Sequence, residues 1–208
     1  FHHIPITKTH EAFFCIKDLS DSIHTDQTGA FPFTSKRSNR YIMVAIHLDA
    51  NYIFVKPMHS RLKEEMIRAY KKIINRMKAA GLGIRKHMLD NEALDAFKQY
   101  IRQQQKQFEL VPPGNHRRNQ AERAIQTFKA HFISILAGVD DKFPLSLWCH
   151  LLEPTELALN LLRQSKVAPK ISAFAHVHGP HNYMKKAFAP LGCAIQAHFK
   201  LEDGRIWD

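Results

Sequence analysis

Three acids in this chain stand where divalent-metal chemistry could be built. Asp26 lies in an alternating stretch, Asp90 directly follows a short strand-like one, and Glu122 falls in the first turn of an amphipathic stretch. Neighbouring strands of one sheet can bring two such acids within reach of a common ion, and a helix packed on that sheet can supply the third. Clustered carboxylates suit Mg2+ (or Mn2+), hard cations that prefer oxygen ligands. Two ions about 3.5–4 Å apart can activate the attacking oxygen and stabilise the leaving one in phosphoryl transfer. Position alone leaves bland roles open. Asp26 could be a turn residue, Asp90 with Asn91 a helix N-cap, and Glu122 a partner of the helix macrodipole. A chain with 19 acids offers many triples.

The elements that must hold these acids are legible in the pattern. Ser22–Thr28 alternates, with Ile23 and Thr25 on one side and His24 and Asp26 on the other, which predicts a strand. A turn-rich stretch, Gly29–Arg40, leads to Tyr41–Leu48, apolar almost throughout, as expected of an interior strand buried on both faces. Tyr52–Val55 follows as a third strand. Ser60 is placed to cap a helix whose apolar positions run from Leu62 to Met77 and which Gly81 and Gly83 stop. Ile84–Leu89 predicts a strand ending at Asp90, Asn91–Gln105 a helix, and Phe108–Val111 a strand closed by Pro112-Pro113-Gly114. Helices are expected at about 118–137 and from Pro144 to Arg163, then a linker at Lys166–Ser172 and a strand at Ala194–Phe199. This order implies a mixed, five-stranded sheet with helices on both faces. Trp148, Phe143 and Leu147 are expected to pack, and His47 to be a satisfied core histidine.

The helix at 118–137 presents two faces. Ala121, Ala124, Ile125, Phe128 and Phe132 form its apolar side. Residues seven apart nearly coincide on a helix, so Lys129 shares the face of Glu122, with Gln126 between them and Asn119 three residues before. A lysine there could grip phosphate beside a metal, although a solvated helix face has the same composition. His116, Arg117, Arg118 and Arg123 are further phosphate candidates. The pair Lys185-Lys186 beside Tyr183 reads as a solvated charge run.

The bulk charge agrees with a polyanionic partner. Thirty basic and 19 acidic residues leave a net charge of +11, which attracts nucleic acid at long range. No run of about 18 apolar residues occurs, so no membrane span is expected. Cys15, Cys149 and Cys193 stand far apart, which argues against a disulfide framework and fits an intracellular setting. His2, His3 and His10 near Cys15 lack a second cysteine for a zinc site. The first residue is Phe1, and the chain reads as a piece of something longer.

Five blocks in order then resemble one family. TDQTGAFPFTSKRSNRYIMVAI (Thr25–Ile46), HMLDNE (His87–Glu92) and VPPGNHRRNQAERAIQTFKAHF (Val111–Phe132) resemble the three catalytic blocks of copia-type retrotransposon integrases, of the retroviral integrase superfamily. LNLLRQS (Leu159–Ser165) and PLGCAIQAHFK (Pro190–Lys200) resemble the segments that follow in the same elements. The resemblance implies an RNase H-like fold with an Asp-Asp-Glu metal site at Asp26, Asp90 and Glu122. It implies Mg2+-dependent 3′-end processing and strand transfer, DNA as partner, homo-oligomerisation, and action in the nucleus at integration. It divides the chain into a leader at 1–20 without an HHCC zinc site, a catalytic core at 21–165 and an extension at 166–208. Two departures stand out. The gap between Asp90 and Glu122 is 31 residues, shorter than is common in such integrases, which fits the compact PPGNHRRN connection. Glu92 replaces a glycine frequent after Asp-Asn and could compete for metal. A nuclease of the same fold, or a co-opted element that binds DNA without catalysis, would share these blocks.

Overall fold

The computed structural model describes residues 19–89, 95–103, 107–110, 120–185 and 189–193. The strands are β1 (Ser22–Gln27), β2 (Tyr41–His47), β3 (Tyr52–Met58), β4 (Lys86–Leu89) and β5 (Gln107–Leu110). The helices are α1 (Lys63–Ala79), α2 (Asp95–Gln103), α3 (Gln120–Ala137), α4 (Leu152–Leu162) and α5 (Ala173–His178), with a 3-10 turn at Leu145–His150 before α4.

One mixed sheet runs in the order β3-β2-β1-β4-β5. β2 pairs antiparallel with both β1 and β3, and β4 runs parallel to both β1 and β5. β2 is therefore interior, as its unbroken apolar run predicts, and Ile42 to His47 are all buried. Two cores form because a strand sends alternate side chains to opposite faces. On one face Ile23, Ala45 and Phe54 meet Ala69, Ile73 and Met77 of α1 and Phe97 and Ile101 of α2. On the other, Val44, Ile46 and Val55 meet Ala124, Phe128 and Phe132 of α3 and Leu152 and Leu159 of α4.

Three local expectations change. Ser60 does not cap α1; Leu62 holds the N-cap position, and the Ser60 hydroxyl instead accepts the Leu62 N–H at 3.3 Å. The helix expected from Pro144 to Arg163 is two pieces. The Trp148 indole N–H donates to the Phe33 carbonyl at 2.9 Å while its ring stacks on Phe31, and this anchor holds the first piece as a tight 3-10 turn. The segment read as a linker is tied down. The Lys166 N–H donates to the Asp49 carbonyl at 3.0 Å, and Ala173 and Val177 of α5 enter the first core. The strand expected at Ala194–Phe199 and the cluster around Cys15 lie outside the described residues. His47 is satisfied as expected: Nε2 lies 2.9 Å from the Gly83 carbonyl and Nδ1 accepts the Ala50 N–H.

β3 is an edge strand, and its outward backbone groups need partners. Two residues of α4 one turn apart supply them. The Asn160 side chain accepts the Ile53 N–H at 2.9 Å and donates to the Ile53 carbonyl at 2.8 Å. Glu156, only 2 % exposed, accepts the Val55 N–H at 2.8 Å and the Tyr52 hydroxyl at 3.1 Å, and its charge is met by the Arg76 guanidinium. Burial, and then the Glu156 charge, raise the Tyr52 phenol well above its usual range.

Acid should weaken this fold. Burial holds His178 and His131 below the usual histidine range, with Arg76 adding to the effect at His178. The hydrogen bond from Arg68 lowers Glu65. Depressed folded values mean that the unfolded chain binds protons first. The histidine contribution is complete above about pH 6.5 and is lost as pH falls through the folded values; that of Glu65 follows below about pH 4.3. Thermal melts should therefore show a lower midpoint at about pH 5 than at about pH 7.5. An equal or higher midpoint in acid contradicts this assignment.

Candidate active site

Asp26 sits near the end of β1 and is partly buried. Its Oδ1 accepts the Gln27 N–H at 2.7 Å. The β1–β2 register pairs His24 with Ile46 and Asp26 with Val44. Ile46 and Val44 belong to the core beneath α3, so His24 and Asp26 face α3 as well. The β1–β4 register ends at Thr25 opposite Leu89. The residue before Asp26 thus lies beside the residue before Asp90. Asp90 itself, Glu92, His116, Arg117, Arg118 and Asn119 lie outside the described residues.

Glu122 is exposed in the first turn of α3. Its helix is tied to β1 at this end, because the Gln120 N–H donates to His24 Nδ1 at 3.1 Å. Gln120 is two residues before Glu122 and His24 two before Asp26, so the bond brings the segments carrying both acids together. This tie requires an unprotonated Nδ1. The alternation of β1 placed His24 on the side of Asp26, but nothing local in the sequence indicated its partner 96 residues away.

A further histidine lies under this end of the sheet. His87 is fully buried, with Nε2 2.7 Å from the Thr25 hydroxyl and Nδ1 3.3 Å from the Tyr70 hydroxyl, and it stacks on the Tyr70 ring. It thereby links β4 to the residue next to Asp26. Sequence reasoning did not single it out, since beside Lys86 in a short strand it reads as one more polar residue until Thr25 and Tyr70 arrive.

The faces of α3 fall as the periodicity predicts. Ala121, Ala124, Ile125, Phe128 and Phe132 are buried. Glu122, Gln126 and Lys129 are exposed on one stripe, and Arg123 is exposed on the next. Lys129 also borders an apolar recess of about 410 Å3 between α3 and the Thr28–Pro32 loop, floored by Phe31, Phe128 and Phe132.

The donor types at Asp26 and Glu122 are carboxylate oxygens, the ligands Mg2+ prefers. Among the described residues no group of three or more metal-ligating side chains gathers.

No family model and no curated protein matches the chain. Solved structures do. A chain of the simian T-cell lymphotropic virus intasome in complex with PP2A regulatory subunit B56 gamma matches with a TM-score of 0.60 at 14% identity, over 85% of this chain. This chain spans 61% of that one's length. The catalytic core domain of BIV integrase matches with a TM-score of 0.53 at 13% identity, over 76% of this chain and 93% of that one. The HTLV-2 integrase catalytic core domain in complex with magnesium, in its trimeric form, matches at 0.55 and 12% identity, over 76% and 95%. The chain therefore has the fold of retroviral integrase catalytic cores.

Proposed function

We propose that this chain is the catalytic core of a copia-type retrotransposon integrase, joining the 3′ ends of element DNA to target DNA. The observation that carries the reading is the bond between His24 and Gln120, which sets the strand bearing Asp26 against the helix turn bearing Glu122 within an integrase-core fold. Asp26 and Glu122, with Asp90, would hold Mg2+ or Mn2+, which would supply Lewis-acid stabilisation of the transferring phosphate. Lys129, two turns beyond Glu122 on its stripe, would hold DNA phosphate close to that centre. The magnesium complex and the trimeric and dimeric forms of the HTLV-2 core support a metal and a homo-oligomer in this chain as well. Action on chromosomal DNA would place it in the nucleus at the time of integration.

A labelled oligonucleotide bearing the element's terminal sequence tests the reading. Mg2+- or Mn2+-dependent joining to a second duplex is expected. Cutting without joining would make the chain a nuclease, and DNA binding without either reaction would make it a co-opted binding protein.

Binding should be mainly electrostatic. The slope of log K against log salt is about −0.9 per phosphate neutralised on duplex DNA. Lys129→Ala should flatten that slope by about one unit on two unrelated duplexes alike, and should slow strand transfer. A loss confined to one duplex would indicate base readout instead.

A further inference from the structure

α3 has a second charged flank. Gln120, Arg123, Ala124 and Thr127 recur at spacings of three, one and three and form a stripe distinct from that of Glu122, Gln126 and Lys129. Ala124 is buried at the inner edge of this stripe, and the other buried residues of the helix, Ala121, Ile125, Phe128 and Phe132, lie between the two stripes. Beside the first stripe is a pocket of about 180 Å3 lined by Asn51, Gln120, Arg123, Thr127, Arg163 and Lys166. Three cations from two distant parts of the chain thus border one small concavity.

Drawing like charges together costs Coulomb energy unless something compensates it. Among the described residues none of the three has a carboxylate within salt-bridge distance. Asp49 is the acid that acts on Lys166, and its carboxylate already accepts the Asp21 N–H at 2.8 Å. Desolvation, and then the neighbouring Arg163, hold the Lys166 ammonium below its usual range.

One member of the cluster is nevertheless held in place. Arg163 Nε donates to the Asn51 carbonyl at 2.9 Å, and its Nη2 donates to the Asn51 side chain. Asn51 turns the chain between β2 and β3 with a positive φ of 52°, a conformation asparagine tolerates, and donates to the Gln164 carbonyl at 2.8 Å. A cationic concavity with one guanidinium held in place and no ion-paired carboxylate among the described residues favours an anion, and the fork of Arg123, whose guanidinium makes no hydrogen bond among the described residues, matches phosphate oxygens.

We propose that Arg123, Arg163 and Lys166 bind a backbone phosphate of the nucleic acid, on the flank of α3 away from Lys129. The proposal rests on the DNA-joining reading and adds to it a second contact line. DNA held on both flanks would be fixed in rotation about the α3 axis as well as in distance from Glu122.

The test uses the whole chain carrying Arg123→Gln and Lys166→Gln together. Both side chains are exposed, and among the described residues neither makes a side-chain hydrogen bond, so the fold should persist; Arg163 is left alone because it pins Asn51. Binding to a blunt duplex is measured across a salt series. The double variant should flatten the slope by about one unit, one phosphate's worth, and the charge-keeping pair Arg123→Lys with Lys166→Arg should restore it. An unchanged slope in the double variant, with Lys129→Ala still flattening it, overturns the pocket and leaves the integrase reading standing. A parent chain that binds no DNA overturns both.

Discussion

Asp26→Asn should abolish metal-dependent strand transfer while leaving the melting midpoint almost unchanged. The substitution keeps the shape of the side chain and an oxygen to accept the Gln27 N–H, the 2.7 Å contact that Asp26 makes at the end of β1. It removes the negative charge that a divalent ion needs. Lewis-acid stabilisation of a transferring phosphate amounts to several kcal/mol. At 1.36 kcal/mol per decade, the loss of about 4 kcal/mol corresponds to about a 10³-fold fall in rate. Glu122→Gln and Asp90→Asn should fall as far if each acid holds the ion. DNA binding measured without metal should survive, because the cations of α3 are untouched. Joining activity within tenfold of the parent in Asp26→Asn would remove this residue from the site.

Glu156→Ala should be the most destabilising single substitution in the described structure. The change strips the partner from a partly buried Arg76 and leaves the Val55 N–H and the Tyr52 hydroxyl without their acceptor. Removing one member of a buried ion pair typically costs about 3–5 kcal/mol, which is about 10 °C in the midpoint for a chain of this size. Glu156→Gln, which keeps an acceptor but no charge, should fall between the two. A shift of no more than a degree or so in Glu156→Ala would show that α4 is held by its apolar contacts alone.

The parts of this fold that could be read in advance are those fixed by local periodicity. The apolar run of β2 and the split between Phe128 and Lys129 on α3 each follow from a few adjacent residues. The placement of Asp26 near the end of β1 and of Glu122 in the first turn of α3 is legible in the same way. What could not be read depends on distant partners. Glu156 looks like a solvated residue in an amphipathic stretch until β3 and α1 arrive from 101 and 80 residues away. His24 reads as one more strand residue until α3 arrives. The break before α4 depends on Trp148 reaching Phe33, 115 residues earlier. Arg163 and Lys166 escaped notice because their pocket exists only once α4 docks beside α3 and the β2–β3 turn holds the guanidinium.

The pairing of Asn160 and Glu156 with β3 also bears on solubility. An unpaired strand edge is a template on which another chain can add a strand. Here a helix that follows the candidate catalytic acids in sequence fills that template with side-chain amide and carboxylate groups. Assembly through a continuous intermolecular sheet is thereby closed off at β3, and any homo-oligomer must use another surface. The same feature sets a limit on truncation. A fragment ending shortly after α3 would retain Asp26, Asp90 and Glu122 yet bare the Ile53 and Val55 amides, and it should aggregate during purification rather than persist as a minimal enzyme.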